Sequence, residues 1–575
     1  MNEQTEFRRW ETSGKLNDEE LAELAALKEQ PDVLSLHFGT TLSFGTAGLR
    51  GIMAMGPACM NRFTVAQATQ GLANLILREN GAARGTAIAY DTRNHSALFA
   101  RIAACVLAAN GIRVYLFDGP RPTPELSFAV RHYACLAGIN ITASHNPKEY
   151  NGYKVYWEDG AQLPPDHADT VSAEIDKIDI FTGVLQTDFA AAQEKGLITL
   201  LSEETDAAYL DAARQSAVCP SLLRELGSDL KIVYTPLHGT GRILVPRILR
   251  EAGLSNLYTV EEQMVPDGNF PTVKKPNPEI PDAFRLGITL AEKIGSDLVI
   301  ATDPDADRVG VMSRRADGSF ACITGNQMGA LLLDYVITAR RAAGCMPPLP
   351  YAVKSIVSTE MAARICEVQG VRLYNVLTGF KFIGEVIKNH EEGGEPGSFI
   401  MGFEESYGYL FGGYARDKDA VGTTLLICEM TAYYRKAGKT LSDALEALFR
   451  RYGYYLDGTH DIYMEGLDGV ARRRAMMAGL REKPPVSLGG HAVVRIGDYL
   501  AGTVTDLATG KTEPTGLPKS DVLSYETDCG DKLIVRPSGT EPKVKVYLLT
   551  HGDDPKSLAA KMDAYLADSR KFSEG

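Results

Sequence analysis

Three aspartates alternate along one short segment, and this spacing is the strongest chemical signal in the sequence. Asp303, Asp305 and Asp307 stand in TDPDADR, residues 302–308, directly after the apolar run SDLVIA. A loop that turns these carboxylates inward would bind one hard cation, because oxygen ligands suit Mg²⁺ or Ca²⁺. An EF-hand is excluded, because arginines stand where its loop needs glycine and glutamate. A solvated acidic turn remains the alternative.

A serine and a histidine stand side by side in TASHNP, residues 142–147. By residue type alone, Ser144 is typical of a turn or a cap, and His145 is not its base merely by adjacency, since catalytic pairing is spatial. A serine-hydrolase site is excluded because the segment has no G-x-S-x-G elbow and leads instead into an Asn-Gly turn and a strand, YKVYW.

The segment RPSGTEPKVKVY, residues 536–547, has the composition of a phosphate-binding loop between two strands. Small residues let backbone N–H groups approach an anion, hydroxyls donate hydrogen bonds, and a guanidinium offers a bidentate fork. The residues that we assign to this loop are Arg536, Ser538, Gly539 and Thr540. An ordinary hairpin with a basic flank is the alternative.

The glycine-rich segment GFEESYGYLFGGYARDKDAVG, residues 402–422, could bind a phosphorylated sugar. Glu404 and Ser406 offer an acceptor and a donor for vicinal hydroxyls, and Arg416 and Lys418 could meet a phosphate. A polar loop without function is the alternative for this segment.

The segments that carry these residues follow a repeating strand–helix–strand order, which indicates largely parallel sheets. Such units recur three times, whereas the last hundred residues predict an antiparallel sheet and a closing helix. At 575 residues the chain is too long for one core. We therefore predict an α/β protein of three related α/β domains with mixed sheets and a smaller α+β domain, over residues 1–207, 208–323, 324–456 and 457–575.

The composition excludes several classes of partner. The net charge of −13 and the absence of a basic cluster argue against nucleic acid. No apolar run approaches the roughly 20 residues that span a bilayer, and the polar N-terminal segment does not resemble a signal peptide. Nine scattered cysteines without a C-x-x-C pair favour neither a zinc site nor a disulfide framework. We expect a cytoplasmic protein that binds neither nucleic acid nor membrane.

Taken together, the motifs FGTAGLRG, TASHNP, DPDADR, GFEESYG and RPSGTEP resemble the signature series of the α-D-phosphohexomutase superfamily, over nearly the whole chain. The branch that it resembles most contains long bacterial phosphoglucomutases and phosphopentomutase-like members. The resemblance implies four domains around one central cleft. It also implies that Ser144 carries a phosphoryl group and that the three aspartates, with a phosphoserine oxygen, hold one Mg²⁺ per chain.

The resemblance suggests roles for further residues. Arg50 would line the entrance of the cleft, and Arg308 would stabilise charge beside the metal. Lys154, from the N-G-x-K stretch, is the first candidate for general base through a lowered pKa, and His145 is the alternative. In the segment TGFKFIGE the resemblance suggests a specificity loop, to which we assign Thr378, Gly379 and Lys381.

The implied reaction moves a phosphoryl group between positions 1 and 6 of glucose phosphate, through a bisphosphate that turns around before it returns its other phosphate to Ser144. Glucose 1,6-bisphosphate would serve as activator. Alternative substrates are pentose and mannose phosphates, and a sugar bisphosphate synthase is a further alternative. A binding protein without activity and a metal-dependent phosphatase are disfavoured, because the serine, the aspartates and the hydroxyl-binding loop are present. We expect a monomer or a dimer.

Overall fold

The structure is a computed structural model that describes residues 2–45, 48–395, 397–464, 468–539 and 542–573. It divides into two compact units. Unit 1 covers the chain up to Ile323 together with Ile387–Phe399 and Tyr407–Ala437. Unit 2 covers Thr324–Val386, Ile400–Ser406 and the chain from Gly438 onward. No helix of the described ranges is both long enough and apolar enough to cross a membrane.

The first sheet of unit 1 is mixed, with the strand order β1-β5-β4-β2-β3-β6. Strands β4, β2, β3 and β6 run parallel, whereas β5 is antiparallel to both β4 and β1. The strands are β1 (Gly48–Ile52), β2 (Thr86–Tyr90), β3 (Val114–Phe117), β4 (Ala137–Ile141), β5 (Tyr150–Trp157) and β6 (Ile198–Leu201). The helices are α1 (Glu3–Glu11), α2 (Asp18–Leu27), α3 (Pro31–Phe38), α4 (Arg62–Arg78), α5 (Ser96–Ala109), α6 (Thr123–His132), α7 (Pro165–Ile175), α8 (Phe189–Glu194) and α9 (Glu203–Gln215).

Strand β4 is buried along its whole length and ends at Ile141, immediately before the serine loop. Its neighbour β5 passes so close to this loop that a Cβ on Gly152 would lie 2.4 Å from the Thr142 carbonyl oxygen. Glycine is therefore required at this position. Within the β4–β5 register, Asn140 stands opposite Lys154.

The second sheet of unit 1 has the order β11-β10-β9-β7-β8 and is also mixed. Strand β9 is wholly buried and delivers the chain to residues 303–308, after which β10 returns antiparallel to it. The strands are β7 (Ile232–Thr235), β8 (Leu257–Thr259), β9 (Leu298–Thr302), β10 (Val309–Arg314) and β11 (Phe320–Ile323). The helices are α10 (Leu222–Leu226), α11 (Gly241–Ala252), α12 (Glu261–Met264) and α13 (Arg285–Ile294), with a 3-10 helix over Pro281–Phe284.

Residues 324–456 contribute to both units, so the compact units divide the predicted third domain. In unit 2, β12 pairs in parallel with β13, and β14 follows β12 in the sheet order. Helix α17 belongs to unit 1, where it packs on α11. The elements are β12 (Tyr351–Ser355), β13 (Arg372–Val376), β14 (Phe399–Glu404), β15 (Gly408–Leu410), α14 (Gly325–Ala342), α15 (Met361–Gln369), α16 (Phe380–Glu392), α17 (Ala420–Lys436) and α18 (Leu441–Tyr452).

The C-terminal part of unit 2 has the predicted antiparallel sheet, in the order β16-β23-β22-β21-β18-β19-β20, with β17 on β18. The predicted closing helix is α20, which packs on β16 and β23. The elements are β16 (Tyr454–Tyr463), β17 (Ser487–Leu488), β18 (His491–Asp498), β19 (Thr503–Asp506), β20 (Thr512–Pro514), β21 (Leu523–Thr527), β22 (Lys532–Pro537), β23 (Lys543–Gly552), α19 (Gly469–Glu482) and α20 (Pro555–Arg570), with a 3-10 helix over Lys571–Ser573.

The core of the first sheet gives a test of packing. Leu72 of α4 is fully buried in this core, whereas Leu77 of the same helix is 42% exposed. We expect Leu72→Ala to lower the free energy of unfolding by about 2–5 kcal/mol, because it leaves a cavity. Leu77→Ala is the matched control and should change it by no more than about 0.5 kcal/mol.

Urea unfolding followed by tryptophan fluorescence is the measurement, because both tryptophans of the chain, Trp10 and Trp157, lie in unit 1. Equal losses of stability in the two variants would contradict the described packing of α4.

Candidate functional site

The loop between β9 and β10 gathers the aspartate triad, by which we mean Asp303, Asp305 and Asp307. All three are buried, and one ligand oxygen of each lies within 4.8 Å of the others. The loop turns at Ala306, whose φ is +50° and whose N–H donates to the Asp303 carbonyl oxygen at 2.9 Å. The N–H groups of Asp307 and Arg308 donate to Asp303 Oδ1 at 3.2 and 3.0 Å. The backbone therefore fixes the orientation of the Asp303 carboxylate.

The remaining carboxylate oxygens divide into a bonded and an unbonded set. Asp305 Oδ2 accepts from Lys154 Nζ and from Thr123 Oγ1, each at 2.8 Å. Asp307 Oδ2 lies 3.1 Å from Lys418 Nζ. The Oδ1 atoms of Asp305 and Asp307 are buried and accept no hydrogen bond from any residue that the structure describes. Buried oxygens of this kind need a partner, and a divalent cation with oxygen ligands fits this donor set.

The repulsion among the three carboxylates also favours a bound divalent cation. Burial and the neighbouring carboxylates of Asp305 and Asp307 raise the pKa of Asp303 well above its usual range. Like charges at this distance oppose one another's ionisation. A divalent cation would remove that repulsion.

Ser144 lies directly beside the triad. Its Oγ donates to Asp303 Oδ2 at 2.7 Å. Its φ is +51°, a left-handed conformation that costs a non-glycine residue about 1–3 kcal/mol and is concentrated at functional sites. Thr142 Oγ1 accepts from the Ser144 N–H at 2.8 Å and donates to Asp91 Oδ2 at 2.7 Å, which holds the loop in this conformation.

The guanidinium of Arg93 is a second support for the serine loop. It is buried and donates to the carbonyl oxygens of Ser144 at 2.6 Å, Asn146 at 2.5 Å and Pro147 at 2.9 Å. Sequence reasoning missed Arg93, Asp91 and Thr142. Thr142 stands inside the TASHNP motif, but nothing in the sequence indicates that Asp91 and Arg93, about fifty positions earlier, contact it.

His145 and Lys154 both lie at this site, and their pKa values shift in opposite directions. His145 Nδ1 is 3.2 Å from Ser144 Oγ. Burial and the cations of Arg308 and Arg50 lower the pKa of His145 well below its usual range. Burial also acts to lower the pKa of Lys154, but the adjacent Asp305 and Asp307 carboxylates outweigh it, and the net pKa is raised. The lowered pKa that we expect for Lys154 beside a bound Mg²⁺ stays a prediction.

The predicted arginines and Lys418 have different surroundings. Arg50 donates to Asn146 Oδ1 at 3.0 Å in the serine loop. Arg308 donates to Glu279 at 2.8 Å, and its Nε lies 3.7 Å from Asp307 Oδ1. Lys418, predicted as a phosphate contact, instead lies against the triad through Asp307.

Arg416 does not have the position that a substrate contact needs. It is completely buried, and its guanidinium donates to the carbonyl oxygens of Gly413 and Ala415 and to Glu391 Oε2. The segment of residues 402–422 thus buries Arg416 against its own backbone. We remove Arg416 from the substrate-binding residues, because it offers no surface to a phosphate.

In unit 2, the two predicted sugar-binding segments contact each other. The N–H of Gly379, whose φ is +127°, donates to Glu404 Oε1 at 2.6 Å. Thr378 Oγ1 is buried and has no hydrogen-bond partner among the described residues, and Ser406 is partly exposed. Lys381 Nζ lies 5.3 Å from the Phe382 ring centroid, and burial lowers its pKa against the opposing charge of Glu385.

The predicted phosphate loop follows β22 in unit 2. Arg536 donates to the Tyr547 hydroxyl at 3.5 Å, and the Ser538 N–H donates to the Lys543 carbonyl oxygen at 2.9 Å. Gly539 is exposed. Thr540 lies outside the described residues.

Glu405 is a further residue that sequence reasoning did not select. It accepts from Ser355 Oγ at 3.2 Å. Burial and the Glu404 carboxylate raise its pKa to about 7, against the opposing charges of Lys545 and Arg536. The pKa of Glu405 therefore depends both on Glu404, in the predicted sugar-binding segment, and on Arg536 and Lys545, beside the predicted phosphate loop.

Comparison with known proteins identifies these features as those of one family. The models for alpha/beta/alpha domains I, II and III of phosphoglucomutase/phosphomannomutase match residues 41–180, 207–318 and 324–452. A phosphoglucomutase of Staphylococcus saprophyticus is 39% identical over 528 residues, which cover 92% of this chain and 94% of that protein.

Two solved structures share the fold. A phosphoglucomutase/phosphomannomutase family protein from Burkholderia thailandensis has a TM-score of 0.64 at 18% identity, over 93% of this chain and 98% of that one. The Paramecium phosphoglucomutase known as parafusin, in an open form, has a TM-score of 0.68 at 19% identity, over 93% and 95%. The predicted resemblance is confirmed: this chain belongs to the phosphoglucomutase/phosphomannomutase family of the α-D-phosphohexomutase superfamily.

Proposed function

We propose that this protein is a phosphoglucomutase, which interconverts glucose 1-phosphate and glucose 6-phosphate through a phosphoserine at position 144. The observation that carries the proposal is the contact of Ser144 Oγ with Asp303 Oδ2 at 2.7 Å, within a buried triad that leaves two oxygens unbonded. The similarity to phosphoglucomutases at 39% identity supports glucose as the sugar.

We assign one Mg²⁺ per chain to a site formed by Asp303, Asp305, Asp307 and a phosphoryl oxygen of phosphoserine 144. Bound there, the ion would withdraw charge from the phosphoryl group during its transfer. The all-oxygen donor set and the unbonded Oδ1 atoms of Asp305 and Asp307 support this assignment.

In the first half-reaction, the bond between Ser144 Oγ and phosphorus breaks while the 6-hydroxyl of glucose 1-phosphate forms a new bond to phosphorus. The hydroxyl proton goes to a base, which returns it to the departing Ser144 Oγ, so that the serine ends as a hydroxyl. His145 is our choice, because its Nδ1 lies 3.2 Å from Ser144 Oγ and can pass the proton on, whereas Lys154 Nζ is bonded to the Asp305 carboxylate. The positive charges of Lys154, Arg308 and Arg50 stabilise the transferring group.

In the second half-reaction, the glucose 1,6-bisphosphate turns around. Ser144 Oγ forms a bond to the phosphorus of the 1-phosphoryl group while the bond from O1 to that phosphorus breaks, and the serine proton passes to O1, which gives glucose 6-phosphate. Added glucose 1,6-bisphosphate would restore a lost phosphoserine and so act as activator. In unit 2, Glu404 and Ser406 bind sugar hydroxyls in either pose, with the loop of Thr378, Gly379 and Lys381 beside Glu404. We assign the phosphate that is not reacting to Arg536, Ser538, Gly539 and Thr540.

The test of the proposed function is a comparison of kcat/KM for glucose 1-phosphate, mannose 1-phosphate and ribose 1-phosphate, with Mg²⁺ and a trace of the matching bisphosphate. We expect a clear preference for glucose 1-phosphate. A preference for ribose 1-phosphate or mannose 1-phosphate would replace the substrate and keep the mechanism. Absence of isomerisation with all three would contradict the proposal, and bisphosphate accumulation would point to a synthase.

Arg536→Ala tests the phosphate site separately. We expect KM for glucose 1-phosphate to rise at least about tenfold with a smaller change in kcat, because phosphate binding is common to the ground state and the transition state. Arg474→Ala, at an exposed position of α19 in the same unit, is the matched control and should leave both constants unchanged. An unchanged KM in Arg536→Ala would move the phosphate site elsewhere.

A further inference from the structure

Thr123 contacts Asp305, in the loop between β9 and β10 that carries the aspartate triad, through both its backbone and its side chain. Its N–H donates to the Asp305 carbonyl oxygen, and its Oγ1 donates to Asp305 Oδ2, each at 2.8 Å. Thr123 is the first residue of α6, so its N–H has no partner inside the helix. Pro122 and Pro124 flank it and restrict the backbone on both sides. The side chain is completely buried.

Asn140 determines the direction of this contact. Its Nδ2 donates to Thr123 Oγ1 at 2.6 Å. A hydroxyl has one proton, so a hydroxyl that accepts from an amide N–H donates its own proton to the other neighbour. That neighbour is Asp305 Oδ2. Asn140 belongs to β4, the strand that leads into the serine loop.

The result is a selection between the two oxygens of Asp305. Oδ2 accepts hydrogen bonds from the Thr123 hydroxyl and the Lys154 ammonium, whereas Oδ1 is buried and accepts none within the described part of the chain. We infer that Asn140 and Thr123 form a hydrogen-bond relay that holds Asp305 with Oδ1 turned toward the divalent cation. Thr123 and Asn140 are thus positioning residues for the cation site, and the inference rests on the cation site of the proposed function.

Lys154 cannot supply this selection by itself. Its Nζ also lies 3.6 Å from Asp307 Oδ2, so one flexible ammonium is shared between two carboxylates. Thr123 is β-branched, and its backbone is bonded to the same aspartate, which makes its hydroxyl a fixed donor. Partners that orient metal ligands in this way typically change metal affinity by about 10- to 100-fold when they are removed.

The experiment measures Mn²⁺ binding to the full-length protein by the electron paramagnetic resonance of free Mn²⁺, which takes the same oxygen ligands as Mg²⁺. Thr123→Val replaces the hydroxyl with a methyl group of similar size, and we expect the dissociation constant to rise about 10- to 100-fold. Thr123→Ser keeps the hydroxyl and should bind within about threefold of the unchanged protein. Asn140→Leu is the second variant and should weaken binding in the same direction.

Thr431→Val controls for a buried threonine changed to valine, because Thr431 donates only to the backbone of its own helix, at Ile427. This variant should bind Mn²⁺ as the unchanged protein does. Asp303→Asn removes one proposed ligand and gives the level of Mn²⁺ binding that does not depend on the cation site. Mn²⁺ affinity unchanged in Thr123→Val, or lost equally in Thr123→Ser, would overturn the relay. If the unchanged protein binds no more Mn²⁺ than Asp303→Asn, the cation site itself fails, which is a failure of the proposed function.

Discussion

The repulsion among three carboxylates that share one buried loop is the constraint on which the site in unit 1 depends. Charges of one sign at such short distances raise each other's energy strongly in a medium of low dielectric constant. The protein opposes this repulsion with the ammonium groups of Lys154 and Lys418 and with backbone N–H groups that point at Asp303. Two carboxylate oxygens are left without a hydrogen-bond donor among the described residues, as the proposed cation site requires.

The scaffold brings these groups together from distant parts of the sequence. Strand β9 ends at the triad, β4 ends at the serine loop, and β5 carries Lys154 opposite Asn140. Thr142 and Arg93 hold Ser144 in a left-handed conformation. This conformation lowers the stability of unit 1 and fixes the direction of the serine hydroxyl. The relay from Asn140 through Thr123 links the strand before the serine to the metal loop. Ser144 and the aspartate triad are therefore both held by buried hydrogen bonds from neighbouring strands and loops.

The sequence predicted the residues that react better than the residues that hold them. The triad was visible because its spacing is unusual, whereas Ser144 was visible only through the family resemblance of its motif. The α/β units and the antiparallel C-terminal sheet follow from strand and helix periodicity. Thr123, Asn140 and Arg93 were not visible, because a buried polar residue looks like any other until the fold supplies its partner. Arg416 misled for the opposite reason: a charged residue in a glycine-rich segment suggests a surface, but here the chain closes over it. The pKa of Lys154 likewise depends on two carboxylates more than 150 positions away.

The central claim is that Ser144 passes a phosphoryl group to the sugar, and a single-turnover experiment tests it most directly. The protein is labelled with radioactive phosphate from glucose 1,6-bisphosphate, freed of excess label, and mixed with unlabelled glucose 1-phosphate and Mg²⁺. We expect the label to map to Ser144, to be absent from Ser144→Ala, and to appear in sugar phosphate. Control labelling of Ser255→Ala, a change at an exposed serine, should match the unchanged protein. Release of the label as inorganic phosphate at a rate that does not depend on glucose 1-phosphate would contradict the account.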